Sequence, residues 1–329
     1  MTTDEVIAGV LAGERRAVGR AISLVERLGP DGREVAAALH PETGRAWRVG
    51  VTGAPGVGKS TLISALVRLL RARGTRVAVV SVDPTSPFTR GAVLGDRIRL
   101  TDHFLDEGVF IRSMASRGHQ GGLAEATADA VLVLDAAGYD VVLVETVGSG
   151  QNEVEVRTLA DTVVLALMPG SGDGVQAIKA GLMEIPDVLA VTKADREGVA
   201  SLVTDLRNAL SLVPAGPWEP PIVRVRALEE GGADDLWARV EAHRAFLDAG
   251  GRLEDRRRDG LARQLRALAA ERIARRIEAT VADEFLLGLI GDVIDRRIDP
   301  STAVDRVLER AGLAADVPTA PGGGPRPAR

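Results

Sequence analysis

The chain has 329 residues, is 45% apolar but only 3% aromatic, and carries a formal net charge of −5. Its length fits one large or two modest domains, and its acidic balance argues against a generic nucleic-acid binder. With no cysteine it has no disulfide, thiolate metal site or cysteine nucleophile.

Met1 to Val10 carries two acids and no base, which is unlike a secretory signal. No apolar run reaches the length of a membrane span. A cytoplasmic protein is therefore expected, with neither membrane nor nucleic acid as a partner.

Residues 4–28 place Ile7, Val10, Leu11, Ala17, Val18, Ala21, Ile22, Val25 and Leu28 at helical spacing. They predict an amphipathic helix or a broken pair, stopped at Gly29-Pro30. A shorter helix is expected over 34–39. Together these make an N-terminal helical extension, residues 1–44, that packs against the core of the chain.

Residues 47–52 read as a short strand. Gly53-Ala54-Pro55-Gly56-Val57-Gly58-Lys59-Ser60 then fits G-x-x-x-x-G-K-[ST], and Thr61 opens a stretch with Leu62, Ile63, Leu66, Leu69 and Leu70 at helical spacing. Strand, glycine loop and helix form the context of a phosphate-binding loop. The glycines let backbone N–H groups converge on phosphate, and the new helix adds its positive end. Lys59 is expected on the β- and γ-phosphates, and the Ser60 hydroxyl on Mg²⁺.

Further strands are expected over 76–82, 109–113, 140–145, 162–168, 188–192 and 222–226. Helices are expected over 122–137, 174–183, 197–212 and 234–247. This alternation predicts an α/β fold: a P-loop core, residues 45–250, with a mostly parallel sheet flanked by helices. Its ligands belong at the carboxyl ends of the strands. From Arg252 the pattern becomes all-helical, with an apolar stripe through Leu261, Leu265, Leu268, Ile273 and Ile277 and another through Phe285, Leu286, Leu289, Ile290, Val293 and Ile294. Residues 251–316 are read as an oligomerisation arm, and the Pro- and Gly-rich residues 317–329 as a disordered tail.

Three strand ends carry the remaining chemistry. Asp83 ends one strand, and Asp96 lies on the Gly-, Pro- and Ser-rich loop beyond it; both are candidates for the Mg²⁺ shell. Glu145 ends a fully apolar strand, with Gly148 three residues on. That resembles the D-x-x-G element of GTPases with Glu in place of Asp, so Glu145 would hold the metal or the attacking water and Gly148 would sense the γ-phosphate. Thr192-Lys193-Ala194-Asp195 stands where GTPases carry N-K-x-D. The Asp195 carboxylate would accept from guanine N1–H and N2–H₂, which adenine does not offer. Arg226-Ala227-Leu228 is the expected partner loop, with the Ala227 N–H directed at guanine O6. Arg112, Arg117, His119 and Lys179 are candidate cations for the γ-phosphate.

The glycine loop, Asp83-Pro84-Thr85-Ser86-Pro87, Leu94-Gly95-Asp96-Arg97, the run from Ser113 to His119, Glu145-Thr146-Val147-Gly148-Ser149-Gly150-Gln151 and Pro169-Gly170-Ser171-Gly172-Asp173 together resemble the MeaB/ArgK family of GTPases, the group that includes MMAA. The resemblance spans about residues 11–308. It implies binding of GTP and GDP with Mg²⁺, and Asp83, Asp96 and Glu145 as metal and switch carboxylates. Lys59, Glu145, Gly148, Gln151 and Lys179 are the residues expected to be catalytic. The resemblance implies that residues 169–179 form a mobile loop coupling nucleotide state to the client, and that the helical arm forms a homodimer. The implied client is an adenosylcobalamin-dependent acyl-CoA mutase of the methylmalonyl-CoA mutase type, whose cofactor loading is gated by GTP hydrolysis and which is protected from inactivation. Thr192, Gly174 and Arg90 depart from the residues common in that family.

Other functions fit less well. Nickel insertion by related GTPases needs His tracts or Cys ligands, and four scattered histidines do not supply them. A small-molecule or protein kinase needs an acceptor site and a base, and neither has a defined place. A low-turnover nucleotide-dependent scaffold for another client differs only in rate.

Overall fold

The computed structural model describes residues 1–83, 103–115, 122–146, 152–170, 185–214, 216–229 and 232–313. The helix expected over 174–183 and the tail over 317–329 lie outside these residues. The chain forms two compact units, Met1–Leu265 and a second from Arg266 onward.

The first unit is built on seven parallel strands: β1 Trp47–Thr52, β2 Val77–Asp83, β3 Val109–Ala115, β4 Val141–Glu145, β5 Thr162–Leu167, β6 Val188–Val191 and β7 Ile222–Arg224. Their order across the sheet is β3-β2-β4-β1-β5-β6-β7. Strands buried on both faces read as continuous apolar runs, which is why Val-Val-Leu-Val in β4 and Val-Val-Leu-Ala-Leu in β5 carry no polar alternation.

Helices cover both faces. α1 Thr3–Leu11, α2 Arg15–Val25 and α3 Pro30–Leu39, with α5 Gly122–Ala136 and α6 Asn152–Leu159, share one core with Ala78, Val80, Val142, Val144 and Val163. α4 Lys59–Ala72 and α8 Asp234–Asp248 share the opposite core with Val49, Val51, Val77, Val79, Val141, Leu143 and Val164. α7 Val199–Leu210 packs its Leu202, Val203 and Leu206 against Leu165, Leu189 and Val191.

The N-terminal stripe resolves into two helices, broken where Gly13 takes a φ of 73°. α3 starts at Pro30 rather than four residues later, because proline at the first helical position loses no hydrogen bond.

Buried ions fasten the unit across long sequence distances. Asp161, fully buried at the start of β5, takes Arg48 Nη2 at 2.6 Å and Arg257 Nη2 at 2.9 Å. Asp187, ahead of β6, takes Arg256 Nη1 at 2.9 Å and faces His243 Nε2 at 3.4 Å. Arg256 and Arg257 lie in the first turns of α9 Arg252–Thr280, and Arg48 lies in β1. Breaking such a pair leaves an uncompensated buried charge, costing about 3–5 kcal/mol.

In the second unit α10 Asp283–Ile294 and α11 Pro300–Arg310 follow α9. Asp299 caps α11 by accepting from the Ser301 and Thr302 backbone N–H groups. Among the described residues no helix is long and apolar enough to cross a membrane.

Candidate functional site

The carboxyl ends of β1, β2, β4, β5 and β6 form one edge of the sheet, and the glycine loop leaves it from β1. Gly53 has a φ of 136°, and a Cβ there would sit 2.2 Å from the Ala166 carbonyl oxygen of β5. Only glycine lets the chain turn that tightly. Gly58, at φ 99°, caps α4 without a side-chain hydrogen bond, leaving first-turn N–H groups for an anion. Pro55 and Gly56 are exposed at the loop's tip while Val57 is buried in the core under α4. Lys59 arches back over the loop and donates to the carbonyls of Gly53 at 2.8 Å and Ala54 at 3.0 Å.

Ser60, in the first turn of α4, donates to Glu145 Oε1 at 2.7 Å, and both side chains are buried. Oε2 of the same carboxylate accepts from Ser81 of β2 at 3.1 Å. The end of β4 is fixed to β1 by Thr146, whose N–H donates to the Val51 carbonyl and whose hydroxyl lies 2.8 Å from that of Thr52. A hydroxyl and a carboxylate in contact at the mouth of a phosphate loop are hard oxygen donors, the set that suits Mg²⁺ with one or two carboxylates. The residues therefore fit that ion.

The Thr192-Lys193-Ala194-Asp195 loop docks on the glycine loop. The Thr192 hydroxyl is 2.6 Å from the Val57 carbonyl oxygen and 3.1 Å from that of Leu167, so its single proton favours Val57. Lys193 adopts a left-handed φ of 50° and sends its ammonium to the Gly56 carbonyl at 2.9 Å, with Met168 Sδ at 3.2 Å. Asp195 is exposed. The Ala194 N–H donates to the Val225 carbonyl at 3.2 Å, which sets Arg226, Ala227 and Leu228 beside it. Arg226 pairs with Glu229, Ala227 is half-buried and Leu228 is exposed.

The structure thus brings together the glycine loop, Glu145, Thr192-Lys193-Ala194-Asp195 and Arg226-Ala227-Leu228. Asp96, Gly148, Gln151, Lys179, Arg117 and His119 lie outside the described residues, as do Arg90 and Gly174. For Asp83 only the backbone is described, closing β2. Arg112 is engaged elsewhere: its Nη2 pairs with Glu26 at 2.6 Å and lies 3.2 Å from the Ser23 hydroxyl, fastening α2 to β3. Its charge is spent on that contact, which removes it from the cations considered for the γ-phosphate. Ser81 and Met168 were not expected at the site. A lone serine in a valine-rich strand and a methionine ahead of Pro169 carry no motif.

The family model described as "Methylmalonyl Co-A mutase-associated GTPase MeaB" matches residues 18–282. A putative GTPase of Pyrococcus abyssi is 46% identical over 310 residues, covering 93% of this chain and 96% of that protein. GTPase ArgK of Escherichia coli K12 is 35% identical over 94% of this chain and 96% of its own length. A crystal structure of an LAO/AO transport system kinase is 31% identical, with a TM-score of 0.73, covering 94% of this chain and 97% of that one.

Proposed function

The chain belongs to the MeaB family of methylmalonyl-CoA mutase-associated GTPases, and from that premise we propose that its GTP hydrolysis serves an adenosylcobalamin-dependent acyl-CoA mutase. Hydrolysis gates loading of the mutase's cofactor and protects the mutase. One observation carries the nucleotide chemistry: the Thr192–Val57 hydrogen bond joins a base-reading loop to the phosphate loop at the edge where Ser60 meets Glu145. The client class rests on the family.

In this reading the backbone from Gly53 to Thr61 cradles the phosphates of GTP and GDP, and Lys59 neutralises their charge. Ser60 and Glu145, with Asp83 and Asp96, hold Mg²⁺, which when bound neutralises charge on the phosphate oxygens. Asp195 accepts from guanine, while Thr192 and Lys193 hold the loop that presents it, and Arg226, Ala227 and Leu228 border the base with Ala227 N–H toward O6. Gly148, Gln151 and Lys179 complete the catalytic set on sequence grounds. The attacking group is water, and catalysis is positioning and charge stabilisation.

The helices from Arg252 onward form the homodimerisation arm. Leu286, Leu287, Ile290 and Ile294 of α10 are large apolar side chains left exposed in one chain, the condition a second copy would relieve.

The test is cofactor loading. Apo-mutase from the same source is mixed with adenosylcobalamin, this protein and either GTP or a non-hydrolysable analogue, and holo-mutase is followed spectroscopically. Loading that depends on hydrolysable GTP supports the reading; loading indifferent to both protein and nucleotide contradicts it.

A further inference from the structure

Ser81 is paired with Glu145 in the β2–β4 ladder, residue opposite residue. Side chains alternate along a strand, so Ser81 shares a face with Val77 and Val79, and Glu145 with Val141 and Leu143. All four of those apolar residues belong to the core under α4. Both polar residues therefore emerge on the α4 side, at the last turn of the sheet before the edge, where the first turn of α4 presents Ser60.

Ser81 is 3% exposed, in a strand otherwise built of valine and alanine up to its terminal Asp83. A buried hydroxyl needs a partner, and it takes Glu145 Oε2 at 3.1 Å while Ser60 takes Oε1 at 2.7 Å. Two donors on the two oxygens fix the plane of the carboxylate as well as its position. This matters more for glutamate than for aspartate, because the extra methylene adds a torsion that a single hydrogen bond leaves free.

We propose that Ser81 is a positioning residue for the divalent-cation site: it holds the Glu145 carboxylate in the orientation that turns Oε1 toward the Ser60 hydroxyl. The proposal rests on the reading of Ser60 and Glu145 as Mg²⁺-holding residues. Groups that orient a ligating carboxylate change metal affinity by about 10–100-fold when removed. A hydroxyl present only to satisfy itself would not.

The experiment titrates Mg²⁺ calorimetrically into GDP-loaded full-length protein, and separately measures GDP affinity in EDTA and the melting temperature. Ser81→Ala is expected to weaken Mg²⁺ binding about tenfold, with metal-free GDP affinity within about twofold of the parent. Ser81→Thr, which keeps the hydroxyl, is expected to restore Mg²⁺ affinity. Glu145→Gln is the reference. Weaker Mg²⁺ binding in Glu145→Gln with no change in Ser81→Ala would overturn the role of Ser81 while keeping the site. No change in either variant would overturn the reading of the site itself. If Ser81→Ala does not fold, Ser81→Cys keeps the volume with a weaker donor; unaltered Mg²⁺ affinity there overturns the proposal equally.

Discussion

The Thr192 hydroxyl and the Val57 carbonyl oxygen are 2.6 Å apart, both buried, and join two loops separated by 135 positions in the chain. With the Lys193 ammonium on the Gly56 carbonyl, this hydrogen bond ties the glycine loop to the loop proposed to read the base. Thr192→Val keeps the shape and removes the donor, leaving a buried carbonyl unpaired at about 1–3 kcal/mol. GDP affinity should fall about tenfold, while Thr192→Asn, with an amide to donate, should retain most of it. Calorimetric GDP binding checks this; unchanged affinity in Thr192→Val would show that the two loops hold their places independently.

Asp195 makes no hydrogen bond or ion pair with other described residues, and its carboxylate is exposed. A carboxylate reading two guanine N–H donors is left unpaired by adenine, and sites that hydrogen-bond a substrate reject analogues lacking the group by large factors. Asp195→Asn should therefore narrow the GTP over ATP preference by at least about tenfold. Competition of the two nucleotides for a fluorescent GDP analogue measures it. A preference equal to that of the parent would remove Asp195 from base recognition.

Acid should destabilise the first unit in two stages. His243 is buried, with Nδ1 2.9 Å from the Thr162 hydroxyl, and burial holds its imidazole down at about 4 from an ordinary 6.5. The unfolded chain takes up that proton below pH 6.5 and the folded chain only near pH 4. Stability from this group is complete above pH 6.5 and declines as pH falls from 6.5 to about 4. For Asp161, burial acts to raise the carboxyl, but hydrogen bonds from Arg257 and Arg48 outweigh it and hold it at about 2, below an ordinary 3.8. Its contribution is present above pH 3.8 and is lost as pH falls from there toward 2. Melting temperature against pH should show both declines. His243→Gln should flatten the upper one; a parent protein with constant melting temperature from pH 6.5 to 4 would contradict the assignment.

Leu286, Ile290 and Ile294 recur at intervals of four along α10, so they share one face, and each is exposed. If a second copy covers that face, Ile290→Asp with Ile294→Asp should convert dimer to monomer in light scattering without lowering the melting temperature of the first unit. A parent that is already monomeric would remove the arm's assigned role.

The phosphate loop was legible because its backbone demands glycine at set places and its flanks show period two, then period 3.6. Glu145 was legible because an apolar strand ending in one acid is a strong local pattern. Contacts made between neighbouring strands were not legible. Nothing near Ser81 in the chain points to Glu145, 64 positions on; the ladder register alone brings them together. Likewise Asp161 and Arg257 are 96 positions apart, and a charged start to a helix reads as a solvated face until its partners are seen. α6 escaped notice because eight residues of mixed polarity carry too few turns for a period to stand out. Arg112 was open to a phosphate-binding role because a strand's direction fixes which residues share a face but not which element covers it; α2 covers it, and Glu26 takes its charge.

GTP turnover by the purified protein, alone and with an adenosylcobalamin-dependent acyl-CoA mutase from the same source, tests the central claim most directly. A positioned site that awaits its client predicts slow turnover alone and a marked rise with the mutase, abolished by Lys59→Ala, which removes the ammonium now held over the loop. Turnover that is the same with and without the mutase would contradict the coupling and leave a GTPase whose client is of another class.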